Sequence, residues 1–358
     1  MAKYASIDII ERKPNVSQRF LEGTSARTFE ISGASRISWL IKASMLGFKM
    51  RSEHWEYDVI YSYNHGFINA SFTYILSRLL KKKYVINVYH VEKYQTKSVK
   101  KGYAAARSIY GYPVKEALIL SFEWSVIYWI LKRADAITVP SRATADDLRS
   151  IGVLPSKIHL VYLGIEHEMP IHSVQDTPKV FDGIYVGRLT LNKGFFDTLL
   201  AWKEVVKKLP SAKLAVVDGS VPKFALDFIK NNNLDNNIVF LHHLSPKELS
   251  EALHKSKLLV MPSHAEGFCF TVGKAILHHV PVVVYDIPVL REVYGFLHNV
   301  NFVEEWDVKA LAKQIIIMLS AEFSEKEIRQ DSGSLLQRYA WKNSAAETYK
   351  VFNDCVKT

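Results

Sequence analysis

The sequence predicts an α/β protein of two domains, and three observations carry that expectation. From about Tyr57 onward, short apolar, β-branched runs alternate with longer amphipathic segments, the signature of βα units and parallel sheets. The chain has 358 residues, 48% hydrophobic and 23% charged, enough to build two cores of ordinary size. A polar, proline-containing stretch without periodicity, IEHEMPIHSVQDTPKV, begins at residue 165 and reads as a linker.

Taken in order, the first 55 residues offer two weak strand candidates, SIDII and RTFEI, and one firm helix, SRISWLIKASML (Ser35 to Leu46). Strands are then expected at YDVIYSY (57–63), YVINVYH (84–90), AITVP (136–140) and IHLVYL (158–163). Past the linker come GIYVG (183–187), KLAVVDG (213–219), IVFLHHL (238–244), KLLVMPS (257–263) and PVVVYD (281–286). Helices are expected from Phe195 to Lys208, Pro222 to Asn231, Pro246 to Lys255, Phe268 to Leu277 and Val308 to Leu319. The expected domains are 1–165, 166–335 and a closing segment 336–358.

Several functional classes are disfavoured. Two cysteines, Cys269 and Cys355, build no disulfide framework and lack metal-ligand spacing, which points to a reducing compartment without structural zinc. No basic stretch followed by an apolar core opens the chain, so a cytoplasmic location is expected. The apolar run ALILSFEWSVIYWIL (117–131) is shorter than the roughly 20 residues a spanning helix needs and carries Glu123. No G-x-S-x-G elbow, Walker loop or G-x-G-x-x-G fingerprint occurs. The adjacent pairs His242-His243 and His278-His279 lack the i, i+4 spacing of a helical zinc site. Asp146-Asp147 reads as a charge pair at a helix N-terminus.

Charge is uneven. Residues 1–165 carry 24 Lys+Arg against 13 Asp+Glu, or +11, and the remainder 22 against 23, or −1. The N-terminal half therefore either faces something anionic or simply has a lysine-rich surface.

Two stretches carry chemistry. In GIYVGRLTLNKGFFDTLLAWKEV a buried strand runs into Arg188, then a polar turn with Lys193, then a helix. Cations beside free helix N–H groups suit a diphosphate, because the charges and the macrodipole both favour anions there. In KLLVMPSHAEGFCFTVGKA the turn at Glu266-Gly267 lies at the strand's carboxyl end, where open α/β sheets bind ligands. Gly267 and Cys269 are small, and an ionised Glu266 accepts hydrogen bonds from sugar hydroxyls.

In combination these segments resemble the retaining GT-B glycosyltransferases that use nucleotide-sugar donors, the group 1 or family 4-like enzymes. YVGRLTLNKGFFDTLLAW, the strand ending VVDG, FLHHLSPKELSEAL, KLLVMPSHAEGFCFTVGKAI and VPVVVYDIPVLREVYG match in order. ADAITVPSRATADDLRSIGVLPSKIHLVYLGIE resembles the end of that family's N-terminal domain. Trp341, in RYAWKNSAAETYKVF, resembles the start of its terminal helix crossing back.

The resemblance implies two Rossmann-like domains with parallel sheets facing across a cleft, the acceptor on the N-terminal side and the donor on the C-terminal side. It implies hexose transfer with retention of configuration, no metal and no cofactor beyond the donor. Arg188 and Lys193 would hold the diphosphate, Glu266 the sugar hydroxyls, and the N–H groups of Phe268, Cys269 and Phe270 would face the same donor. His90, ending YVINVYH, resembles a histidine that approaches the donor sugar, and His243 is placed near the nucleobase. No D-x-D triplet, the metal-bridging signature of the other main glycosyltransferase fold, occurs.

Two departures stand out. The family's second glutamate, eight residues after the first, is Lys274 here, and lysine has three donors but no acceptor for a ribose diol. The glycine-rich loop after the family's first strand has no counterpart in MAKYASIDIIERKPNVSQRF. Two other readings stay open: a sugar-nucleotide-binding protein without transfer activity, and a basic nucleic-acid or membrane-binding protein. The clusters LLKKKY and KSVKKGY, with FEWSVIYW, resemble membrane-docking surfaces of relatives, or else form a solvated face and a buried helix.

Overall fold

The computed structural model describes residues 8–11, 27–30, 36–91, 113–165, 178–218, 221–242 and 244–357. The chain divides into two compact units, 1–162 with 342–358, and 163–341. The cluster 97–103, the linker from 166 to 177 and His243 lie outside the described residues.

In the first unit, β3 (Val59–Ser62), β4 (Lys83–Asn87), β5 (Ala136–Val139) and β6 (Ile158–Leu160) form a parallel sheet in that order. Strands β1 (Asp8–Glu11) and β2 (Arg27–Glu30), the two weak candidates, pair with each other in parallel as a separate sheet. Helices α1 (Arg36–Ser52), α2 (Phe67–Leu80), α3 (Val114–Arg133) and α4 (Arg142–Ser150) complete the unit with α12 (Trp341–Lys357). The inward β-branched and aromatic residues Tyr84, Ile86, Ile137 and Val139 pack against Ile127, Ile130 and Leu131 of α3 and Leu148 of α4. On the other side of the sheet, Val85, Ala136 and Val161 bury Val351 and Cys355 of α12, which is why the chain's last helix belongs to this unit.

One expectation is corrected here: His90 does not end a strand. Strand β4 stops at Asn87, whose side chain donates to Tyr63 O (3.2 Å) and accepts from Thr138 Oγ1 (3.0 Å). Those bonds anchor the strand's carboxyl end to both neighbours and leave Tyr89 and His90 in the loop beyond.

In the second unit, β7 (Phe181–Val186), β8 (Leu214–Val217), β9 (Ile238–Leu241), β10 (Ser256–Met261), β11 (Val282–Tyr285) and β12 (Val300–Val303) form one parallel sheet, ordered β12-β11-β10-β7-β8-β9. The strand order reverses between β7 and β10, so the loops leaving their carboxyl ends flank a topological switch point. The sequence reading missed β12, whose Asn301 interrupts an apolar run of four residues. The helices are α5 (Phe195–Lys208), α6 (Lys223–Asn231), α7 (Pro246–His254), α8 (Phe270–Leu277), α9 (Pro288–Tyr294), α10 (Val308–Ser320) and α11 (Glu325–Arg338). Local chemistry sets their starts: Ser245 and Glu248 make a reciprocal capping box on α7 with Pro246 in its first turn, and Asp307 caps α10 through Ala310 N. Helix α8 begins two residues later than the pattern predicts. Cys269 takes a left-handed conformation (φ 62°) as its N-cap, and Phe268 turns inward instead of opening the helix.

Candidate functional site

Two loops meet at the switch point. The first leaves β7 through Gly187 and Arg188, passes a 3-10 turn at Leu191–Lys193, and enters α5 at Gly194. Tyr185, fully buried on β7, donates its hydroxyl to Arg188 O (2.8 Å) and Lys193 O (3.2 Å), fixing both ends of the turn. Burial, then the charges of Glu266 and Asp218, push the Tyr185 phenol well above its ordinary range, so it stays protonated and keeps donating. Asp218, after β8, accepts from Leu189 N (3.0 Å). Gly194 has φ +67°, and a Cβ there would lie 1.8 Å from Pro262 O, so the first loop runs flush against the second.

The second loop leaves β10 and docks on the first, because His264 N and Ala265 N both donate to Asn192 O (3.0 and 3.3 Å). That contact brings Glu266 to Lys193: Oε1 lies 2.7 Å from Nζ, with the side chains 7% and 19% exposed. The pair is a close ion pair without aligned hydrogen-bond geometry, since Glu266 Oε1 has no hydrogen-bond partner among the described residues. Read separately in the sequence as a phosphate cation and a sugar carboxylate, the two form one charged element.

The other candidate residues differ in burial and in partners. Arg188 is exposed at the mouth of the first loop, Gly267 is half-buried, and Phe270 is exposed. Phe268 is buried and rests its ring on Tyr339 (5.2 Å between centroids) and Tyr294 (6.1 Å), so its side chain serves packing. Tyr294 donates to Cys269 O (2.9 Å), and burial, followed by the Glu266 charge, pushes the Cys269 thiol well up, keeping it neutral. Lys274 is half-buried in the second turn of α8. His242 stacks on Phe240 (6.1 Å) with Nδ1 3.2 Å from Asp218 O. In the first unit, His90 is half-buried and meets the buried His65 edge to face (5.2 Å, 81°).

Sequence reasoning missed a second cluster beside the pair. His264 places Nε2 2.9 Å from Asp197 Oδ2 and Nδ1 2.9 Å from Glu305 Oε1. Tyr285 Oη donates to the same Asp197 oxygen (2.9 Å), and Trp306 stacks over the imidazole (3.6 Å, 20°). Trp306 holds φ +72°, a left-handed conformation that costs an ordinary residue about 1–2 kcal/mol. These partners come from α5, β11 and the turn before α10, so no local sequence signal joins them. His65, which meets His90 25 residues on, was missed for the same reason; Tyr185 reads in the sequence only as a core residue of its strand.

Comparison with known proteins fits this arrangement. The family model for glycosyl transferases group 1 matches residues 165–333, and that for glycosyltransferase family 4 matches 11–169. The second half of the chain thus matches the group 1 glycosyl transferases and the first half glycosyltransferase family 4. The group 1 match contains Arg188, Lys193, Glu266 and Lys274, and the family 4 match contains His90. Among curated relatives, the Mycobacterium tuberculosis glycogen synthase is 24% identical over 229 residues, covering 63% of this chain and 55% of its own. The Arabidopsis thaliana sulfoquinovosyl transferase SQD2 is 27% identical over 250 residues, covering 64% and 46%. The chain thus spans about half the length of these relatives.

Among solved structures, sucrose-phosphate synthase from Thermosynechococcus elongatus superposes with a TM-score of 0.69 at 16% identity, covering 97% of this chain and 88% of that one. Anabaena Alr3699/HepE in complex with UDP and glucose gives 0.68 at 15% identity, covering 98% and 99%. At these identities the likeness establishes the fold, which is GT-B with two Rossmann-like α/β units.

Proposed function

We propose that this protein transfers a hexose from a nucleotide-diphosphate sugar to an acceptor hydroxyl, with retention of anomeric configuration and without a metal ion. The observation that carries this reading is the buried Lys193–Glu266 pair at the switch point between β7 and β10. Proteins of the same fold bound to UDP and glucose, and the 27%-identical Bacillus subtilis poly(glycerol-phosphate) alpha-glucosyltransferase, support a nucleotide-sugar donor.

In this mechanism Lys193 and Arg188, with the N–H groups opening α8, stabilise the departing diphosphate, where negative charge develops. Glu266 accepts hydroxyls of the sugar and so fixes the anomeric carbon. The bond from anomeric carbon to phosphate oxygen breaks, and the acceptor oxygen bonds to that carbon. The acceptor's proton passes to the departing phosphate on the same face, which gives retention. The protein supplies no nucleophile.

A thermal-shift screen with UDP, GDP, ADP and their sugars tests the donor. A ligand at one hundred times its Kd adds about 2.7 kcal/mol to the stability of the folded state, so a true donor raises Tm measurably. Because a lysine at 274 offers no acceptor to a ribose diol, Lys274→Glu is expected to change the rank order of nucleotides in that screen. An unchanged order would remove Lys274 from donor recognition. Binding without turnover of acceptor or water would favour a sugar-nucleotide-binding protein instead.

A cytoplasmic-face membrane contact belongs to the same proposal. Helix α3 exposes Val114, Leu118, Phe122 and Trp129 at helical spacing, and α1 exposes Ile41, Met45 and Phe48. Lys115, Lys132 and Arg133 flank the first stripe, and Arg78, Lys81, Lys82 and Lys83 line a basin of about 520 Å³ with Asp58 and Asp135. Apolar side chains ringed by cations suit an anionic bilayer. Among the described residues no helix is long and apolar enough to cross a membrane. Phosphatidylserine vesicles at low salt are expected to sediment the protein, and charge reversal at Lys81 to Lys83 to release it. Equal sedimentation with neutral phosphatidylcholine vesicles would count against this contact.

A further inference from the structure

His264 stands two residues before Glu266 and reaches away from it, to a carboxylate on each side. Asp197, in the first turn of α5, lies four residues after Lys193. Glu305 lies between β12 and α10. The imidazole is largely buried, as is Asp197, with side-chain exposures of 9% and 13%. A neutral imidazole has one N–H, whereas an imidazolium has two, and both carboxylates are acceptors. Both 2.9 Å contacts are therefore made as donated hydrogen bonds only when His264 carries its second proton.

We infer that His264 is a positioning residue, a charged latch that ties the Glu266 loop to α5 and to the turn before α10. The inference rests on reading Glu266 and Lys193 as donor contacts. The latch acts at a distance from the sugar: with His264 bridged, residues 263–267 are held against Asn192 and Glu266 is kept on Lys193. With the bridge cut, the loop keeps its backbone bonds to Asn192 and loses its anchorage to α5 and the 304–306 turn.

The groups facing the imidazole are Asp197 from α5, Glu305 and the Trp306 ring from the turn, and the Tyr285 phenol from β11. Asp307 is close enough to act on Tyr285, whose own pKa is raised by burial and by Asp197, so it remains a neutral donor. Burial opposes charge on His264, but hydrogen bonds to Asp197 and Glu305 outweigh it and raise its pKa. A raised folded-state pKa makes the latch complete below the ordinary histidine value of about 6.5 and lost as pH rises through the folded value.

The test uses the full chain, hydrogen–deuterium exchange of the 262–268 segment, and UDP-glucose as probe, since its diphosphate does not titrate in the range used. Between pH 6 and pH 9 the wild-type Kd for UDP-glucose is expected to weaken about tenfold. His264→Gln, which can hold one carboxylate but not both, is expected to bind about tenfold more weakly at pH 6 with a flat pH profile. Compared at equal pH, its 262–268 segment exchanges faster, with β8 and β9 unchanged. Glu305→Gln, at a partly exposed position, gives the same pattern to a smaller degree and decides the question if His264→Gln does not fold. Wild-type loop exchange and an intact pH profile in these variants would overturn the latch. If the wild type binds no UDP-glucose, GDP-sugar or ADP-sugar while loop exchange still follows the variants, the donor reading falls and the latch stands.

Discussion

Lys193→Ala is expected to lower kcat/KM for the donor by roughly 10²–10³-fold, the loss typical when a preorganised charge-stabilising group is removed from an active site. It is also expected to destabilise the second unit by about 3 kcal/mol, because Glu266 would be left as a buried carboxylate without its counterion. The two effects separate in a double variant. Lys193→Ala with Glu266→Gln removes the unpaired charge, so Tm recovers by several degrees while turnover stays low. Steady-state kinetics with calorimetry on the two single variants and the double variant checks this. Full turnover in Lys193→Ala would remove the pair from the reaction.

Gly194→Ala is the second large effect. The added methyl would sit 1.8 Å from Pro262 O, a backbone atom that cannot swing aside, at a φ of +67° that L residues rarely adopt. The loops carrying Lys193 and Glu266 must then part. A stability loss of roughly 2–4 kcal/mol is expected, together with weaker donor binding. Gly187→Ala is the matched control: its methyl would meet the flexible end of Met261 at 3.2 Å, and a cost below about 1 kcal/mol is expected. Urea unfolding of the two variants side by side gives the comparison, and equal midpoints would refute the close-approach argument.

The sheets were legible because their strands are buried on both faces and so read as continuous apolar runs, as in VVVY of β11 and LAVV of β8. Where burial is partial the signal fades. VNFV of β12 carries a polar residue inside four positions, and β4 stops at Asn87, whose side chain bonds Tyr63 and Thr138, although the apolar pattern runs on to Tyr89. The starts of α7, with its capping box and Pro246, and of α10, capped by Asp307, fall where the pattern puts them, whereas α8, capped by a left-handed Cys269, begins two residues later.

Within the site, Arg188, Lys193 and Glu266 announced themselves through position at strand ends. The joining of Lys193 to Glu266 did not, since it depends on backbone contacts at Asn192 and the glycine at 194. His264 was invisible for a plainer reason. Its partners lie 67 residues before it and 41 after it, and no local spacing encodes such a meeting.

The strand order of the second unit also bears on how the chain acquires its site. Strands β7, β8 and β9 are neighbours in sequence and in the sheet, so that half can zip up from short loops. The pairing of β10 with β7 instead joins residues such as Asp182 and Lys257, 75 positions apart, and must close a far longer loop. Lys193 and Glu266 meet only across that closure. Nucleotide binding during refolding would therefore rise with the slow, long-range step and lag behind the formation of β7–β9, making the ligand a reporter of when the sheet is finished.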